Sequence, residues 1–126
     1  MLAEELKKIN QQFKKDAPSE LVEKIEASVA SLAESKLLTK ALKAGDQIPK
    51  FILSNAIGSN VSSEELLTDG PLVINFYRGG WWPFCNLELG GFQEILEDIH
   101  DKGAQLIAIS PEIPDETLTT TEKLNL

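Results

Sequence analysis

The chemistry available to this 126-residue chain is concentrated in a few singular side chains. It has one cysteine, Cys85, one arginine, Arg78, and one histidine, His100. Cys85 closes the run Trp81-Trp82-Pro83-Phe84-Cys85, just after Gly79-Gly80. A thiolate is a nucleophile and a disulfide-forming group, and free N–H groups with the helix dipole favour it in a first helical turn. A lone thiol can still form a mixed disulfide with another molecule or be capped by glutathione. The alternative is a Cys85 buried on the inner side of its helix. His100 has no second metal ligand of suitable type near it, so it reads as a surface residue and no metal site is expected. Gly79-Gly80 and Gly90-Gly91 are followed by no Gly-Lys-Ser/Thr and form no phosphate loop. No cofactor is expected.

Elements must place that thiol. Leu72-Val73-Ile74-Asn75-Phe76-Tyr77, opened by Gly70-Pro71, is a short apolar run rich in β-branched and aromatic residues, which predicts a buried strand. Gly79-Gly80 break it. Pro83 suits the first turn of a helix, where its missing N–H would have no partner. The helical pattern then runs through Leu87, Phe92, Ile95, Leu96 and Ile99 to a stop at Lys102-Gly103, with Glu94, Glu97, Asp98 and Asp101 on a solvated face. Gln105 to Ser110 predicts a second buried strand, parallel to the first because a helix connects them.

These residues resemble a known family. Trp81 to Cys85 looks like the Trp-Cys-x-x-Cys site of thioredoxin-fold proteins, with Trp82 where the first cysteine would stand. Phe76 to Trp81, then Pro83 to Leu89, resemble the peroxiredoxin-like branch of the alkyl hydroperoxide reductase and thiol-specific antioxidant proteins. So do Gly45 to Phe51 and Ala108 to Glu112. The resemblance implies a thiol-dependent antioxidant oxidoreductase, served by thioredoxin or another thiol reductant and acting on a peroxide or a disulfide. It also implies that position 82 would hold the attacking thiol and Cys85 its partner. An indole is no nucleophile, so Trp82 removes that group rather than tuning it. The Pro and the Thr or Ser that the family places ahead of the thiol are Asn75 and Gly79 here. Trp81, Pro83 and Arg78 are the candidate binding residues. Trp81 matches a structural position of the family. Arg78 is expected to hold loop carbonyls or carboxylates, with peroxide binding as its alternative.

Around this centre the chain predicts an ordinary globular composition, 42% apolar and 25% charged. No apolar run spans a bilayer, and the charged start lacks the apolar core of a signal peptide. One cysteine excludes a disulfide scaffold, and a reducing cytoplasm is the default expectation. The net charge of −8 is uneven: Met1 to Gly45 holds eight lysines against seven acids, whereas thirteen acids follow with only Lys50, Arg78, Lys102 and Lys123. That argues against nucleic acid. Leu2, Leu6, Ile9 and Phe13 predict one amphipathic helix. A second, capped by Asp16, carries Leu21, Val22, Ile25, Val29 and Leu32 and continues through Leu42 to Gly45. Too many acids on their polar faces argue against a membrane surface. Ile48 to Leu53 predicts a strand, Ala56 to Asn60 a turn within a hairpin, Ser62 to Leu67 a capped helical turn, and Pro114-Asp115-Glu116 the start of another helix, from Thr117 to Leu126.

The expected fold class is α/β: the N-terminal half of a thioredoxin-like, peroxiredoxin-like fold preceded by an N-terminal helical pair. Residues 1–45 form the helical extension and 46–126 the partial thioredoxin-like domain. The later strand that would flank Leu72 to Tyr77 in the full fold is missing, which leaves an apolar edge open to self-association. Three functions follow: a redox enzyme impaired by Trp82, a non-catalytic binding relative, or a decayed fragment of a redox protein.

Overall fold

Helical periodicity at the start of the chain folds as expected, up to its breaks. The computed structural model describes residues 1–113, and the helix predicted from Thr117 lies outside them. Two compact units emerge, one of Ala3–Pro49 and one beginning at Lys50.

In the first unit, α1 (Leu2–Asp16) and α2 (Ser19–Glu34) are joined by a Lys14–Glu26 ion pair of 2.6 Å. Asp16 does not cap α2. Its carboxylate accepts from the Gln12 side chain at 2.6 Å, and α2 begins after Pro18 with no side-chain cap. Nor does α2 continue to Gly45. It ends at Glu34, and a separate turn, α3 (Leu37–Lys40), follows. Ser35 causes the break: its hydroxyl donates to the Leu32 carbonyl at 2.7 Å and accepts the Leu37 N–H at 3.3 Å. Such local bonds offer the backbone an alternative to the helix ladder. No residue of α1, α2 or α3 is fully buried.

The second unit opens with the expected hairpin, β1 (Ile52–Ser54) antiparallel to β2 (Asn60–Ser62). The strand starts four residues later than predicted and leaves Pro49 outside it. Asn55 shapes the turn, its Oδ1 accepting from the N–H groups of Ile57 and Ser59 at 3.1 and 2.8 Å. Ser62 caps α4 (Ser63–Thr68) by accepting the Glu64 N–H. Ser63 then locks the hairpin's start: Phe51 N–H donates to its Oγ, and its own N–H donates to the Phe51 carbonyl, both at 3.0 Å.

The centre of the unit is β3 (Leu72–Phe76), α5 (Pro83–Glu94), α6 (Leu96–Asp101) and β4 (Gln105–Ile109). β3 and β4 are parallel, with Ile74 opposite Ile107 and Asn75 opposite Ala108. The single helix predicted over 83–99 is two. At Ile95 the N–H turns to the Phe92 carbonyl, a tightened three-residue bond, and the ladder restarts. β3 is also less buried than a two-sided core strand. Tyr77 and Asn75 are covered, whereas Phe76 on the other face is 74% exposed. Tyr77, Cys85 and Leu89 form the buried apolar cluster, with Trp82 packed against it.

Candidate active site

Cys85 lies in the first turn of α5, with Pro83 at the helix start and Trp82 as the N-cap. The expected strand, turn and helix thus place the thiol as the sequence suggested. The side chain points inward and is 8% exposed, which realises the inner-side alternative. Its sulfur accepts the backbone N–H of Arg78 at 3.4 Å, so the turn covers it.

The turn itself is tightly held. Trp82 N–H donates to the Gly79 carbonyl at 3.1 Å, and the Asn86 side-chain amide donates to the Gly80 carbonyl at 2.8 Å. Gly79 has a φ of +147°, and a Cβ there would meet the Trp81 indole nitrogen at 2.5 Å and Glu112 Oε1 at 2.7 Å. No other residue type fits that space and that backbone.

Arg78 differs from its expected role. Its guanidinium stacks over the indoles of Trp81 and Trp82, 4.9 and 4.6 Å from the ring centroids, rather than on carbonyls or carboxylates. This is cation–π geometry. Trp82 also meets Trp81 edge-on at 5.6 Å and Phe84 at 5.4 Å. Trp81 is 61% exposed, and Pro83 and Arg78 are exposed beside it. Trp82 turns inward. The candidate binding residues therefore form one aromatic and cationic surface, and Cys85 lies beneath it. His100 is exposed in the last turn of α6. No group of three metal-ligating side chains exists among the described residues.

Sequence reasoning missed Glu112. Its Oε1 accepts the Gly80 N–H at 2.8 Å. Its Oε2 takes longer contacts, 3.5 Å each, from the hydroxyls of Tyr77 and Ser110. The only available signal was the Ser110-Pro111-Glu112 match to the family, which gave no partner. Burial pushes the Tyr77 phenol above its ordinary value; the Ser110 hydrogen bond opposes this, while Glu112 and Cys85 add to it.

The β3–α5–α6–β4 unit with a thiol in the first helical turn defines a partial thioredoxin-like α/β fold. The chain belongs to the AhpC/TSA family, whose model matches residues 44–126. It is 34% identical over 82 residues to a chain of Buchnera aphidicola subsp. Schizaphis graminum named as a peroxiredoxin, bcp, covering 65% of this chain and 51% of that one. It is 29% identical to Peroxiredoxin Bcp of Escherichia coli K12, covering 65% and 52% of the two chains. The crystal structure of Peroxidoxin BcpB from Mycobacterium tuberculosis superposes with a TM-score of 0.65 at 26% identity, over 68% of this chain and 55% of that one. The chain spans about half the length of the curated relatives it matches.

Proposed function

We propose that this chain carries the site of a thiol-dependent antioxidant oxidoreductase of the peroxiredoxin kind, in a form whose peroxide chemistry is lost or weak. Membership of the AhpC/TSA family supports the reaction class. One observation carries the impairment: Trp82 stands at the helix N-cap, the place of the attacking thiol, and the remaining Cys85 is 8% exposed beneath the turn. A mixed disulfide formed at Cys85 would be reached and reduced by a thioredoxin-type dithiol, itself oxidised to its disulfide, only after the turn moves. The substrate class would be a peroxide or a disulfide, and the site of action the cytoplasm. The test is peroxide consumption with a dithiol donor. Consumption no faster than the background of a generic thiol is the expected result. Rapid turnover lost in Cys85→Ser would restore the full enzyme reading.

A second reading, a non-catalytic binding relative, is favoured by the exposed Trp81 with Arg78 stacked on it. An exposed indole with a cation on its face is a ready contact surface. Self-association belongs with this reading, because among the described residues β3 pairs only with β4. Residues 1–45 would then serve as a helical extension to the partial domain of 46–126.

A further inference from the structure

We propose that Glu112 is the positioning residue of the Cys85 site: its carboxylate holds Gly80 and so keeps the segment Arg78 to Trp82 seated over the thiol. Hydrogen bonds hold this segment in place. Arg78 N–H reaches Cys85 Sγ, Trp82 N–H reaches the Gly79 carbonyl, and Asn86 reaches the Gly80 carbonyl with its side-chain amide and the Trp82 carbonyl with its backbone N–H. These bonds lie within the segment or join it to α5. Gly80 N–H to Glu112 Oε1, at 2.8 Å, instead ties the segment to the chain beyond β4.

The carboxylate is built into its place. It fills the space a side chain at Gly79 would need, at 2.7 Å from the Cβ position. Its own N–H donates to Ser110 Oγ at 3.2 Å, and that hydroxyl and the Tyr77 phenol turn toward Oε2. Tyr77 in turn packs with Cys85 and Leu89, against which Trp82 rests. Glu112 therefore grips the turn at Gly80 and braces on the cluster beneath it. A carboxylate accepts from an N–H more strongly than a neutral oxygen does, and its removal leaves a half-buried N–H unpaired. The inference concerns access to Cys85 and stands apart from the peroxide chemistry proposed above.

The test uses the full chain with Glu112→Ala and Glu112→Gln. Two singular features make it clean: the only thiol is Cys85, and the only tryptophans are Trp81 and Trp82. Iodoacetamide alkylation therefore reads cover over the thiol, and tryptophan emission reads the turn. Both are measured at one pH, where circular dichroism shows the native chain. In Glu112→Ala the emission shifts to the red and alkylation accelerates by about tenfold, as expected for loss of a hydrogen bond to a charged group. Glu112→Gln keeps an acceptor of the same shape, so its rate rises by only about threefold. A general loss of stability would leave the emission of the folded chain unchanged. Wild-type emission and rate in Glu112→Ala overturn the proposal. Should that chain fail to fold, Glu112→Gln decides, and wild-type values there overturn it equally.

Discussion

The phenol of Tyr77 is 7% exposed, packs with Cys85 and Leu89, and directs its hydroxyl at Glu112. Burial, a neighbouring carboxylate and the nearby thiol all disfavour its ionised form, and only the Ser110 bond opposes them. The sign of the consequence follows from linkage. In the alkaline range above about pH 10 the unfolded chain releases this proton before the folded chain does. The contribution of Tyr77 is therefore fully present below that pH and falls as pH rises through the folded value. Because Tyr77 is the single tyrosine, phenolate absorbance should show it titrating above free tyrosine in the native chain. Relative to wild type, Tyr77→Phe should lose stability less steeply above pH 10. Equal alkaline slopes in the two chains would contradict this placement. Trp82 belongs to the same scale. Its indole was legible from the sequence as a missing thiol, but not as a partner in a stack with Arg78, Trp81 and Phe84. Position along the chain says which group is present; only the fold of the turn says which faces meet.

Among the elements, the link between hairpin and helix rests on Ser63, which is 1% exposed. Its hydroxyl accepts the Phe51 N–H, and its backbone N–H returns to Phe51. Ser63→Ala leaves the half-buried Phe51 N–H without its acceptor, at a cost of about 1 kcal/mol, the low end for an unpaired donor. Denaturant unfolding should show that loss, and the Phe51 amide should exchange faster in native-state hydrogen exchange. Unchanged exchange at Phe51 would remove Ser63 from this role. The helices illustrate a related point. Apolar periodicity through Leu37, Leu38 and Leu42 predicted continuation of α2, yet the Ser35 hydroxyl bonds to Leu32 and Leu37 and diverts the backbone. The same happened at Ile95, where one tightened bond separates α5 from α6. Periodicity detects a face, and a face persists across a short break.

At the scale of the molecule, the two units differ in charge and in burial. The helices of the first unit bury no residue fully, and Leu38 there is 71% exposed. The second carries most of the negative charge. No helix among the described residues is long and apolar enough to cross a membrane. Within the second unit, Phe76 is 74% exposed on a strand whose far edge has no partner among the described residues. Unpaired edges template association. Light scattering at micromolar concentration should show dimers or larger species, and Phe76→Lys, which puts a charge on that apolar face, should lower the apparent mass. A compact monomer for both chains would end the self-association reading.

What the sequence determined by itself is local and chemical. Gly79-Gly80 and Pro83 set a break and a helix start, so the strand, turn and helix around Cys85 were legible without coordinates. The parallel pairing of β3 with β4 was legible too, since a connecting helix allows parallel neighbours. The family was legible because its central motif spans many adjacent residues. Tertiary structure alone decided the rest. Glu112 lies 32 residues beyond Gly80, and no spacing rule links a carboxylate after one strand to an amide after another. The burial of Cys85 also depended on packing: Tyr77 directly follows β3 and Leu89 lies in α5, and only their meeting closes the cluster on which Trp82 rests. Short-range backbone preferences are written in neighbouring residues, whereas hydrogen bonds and burial between distant ones exist only after the chain has folded.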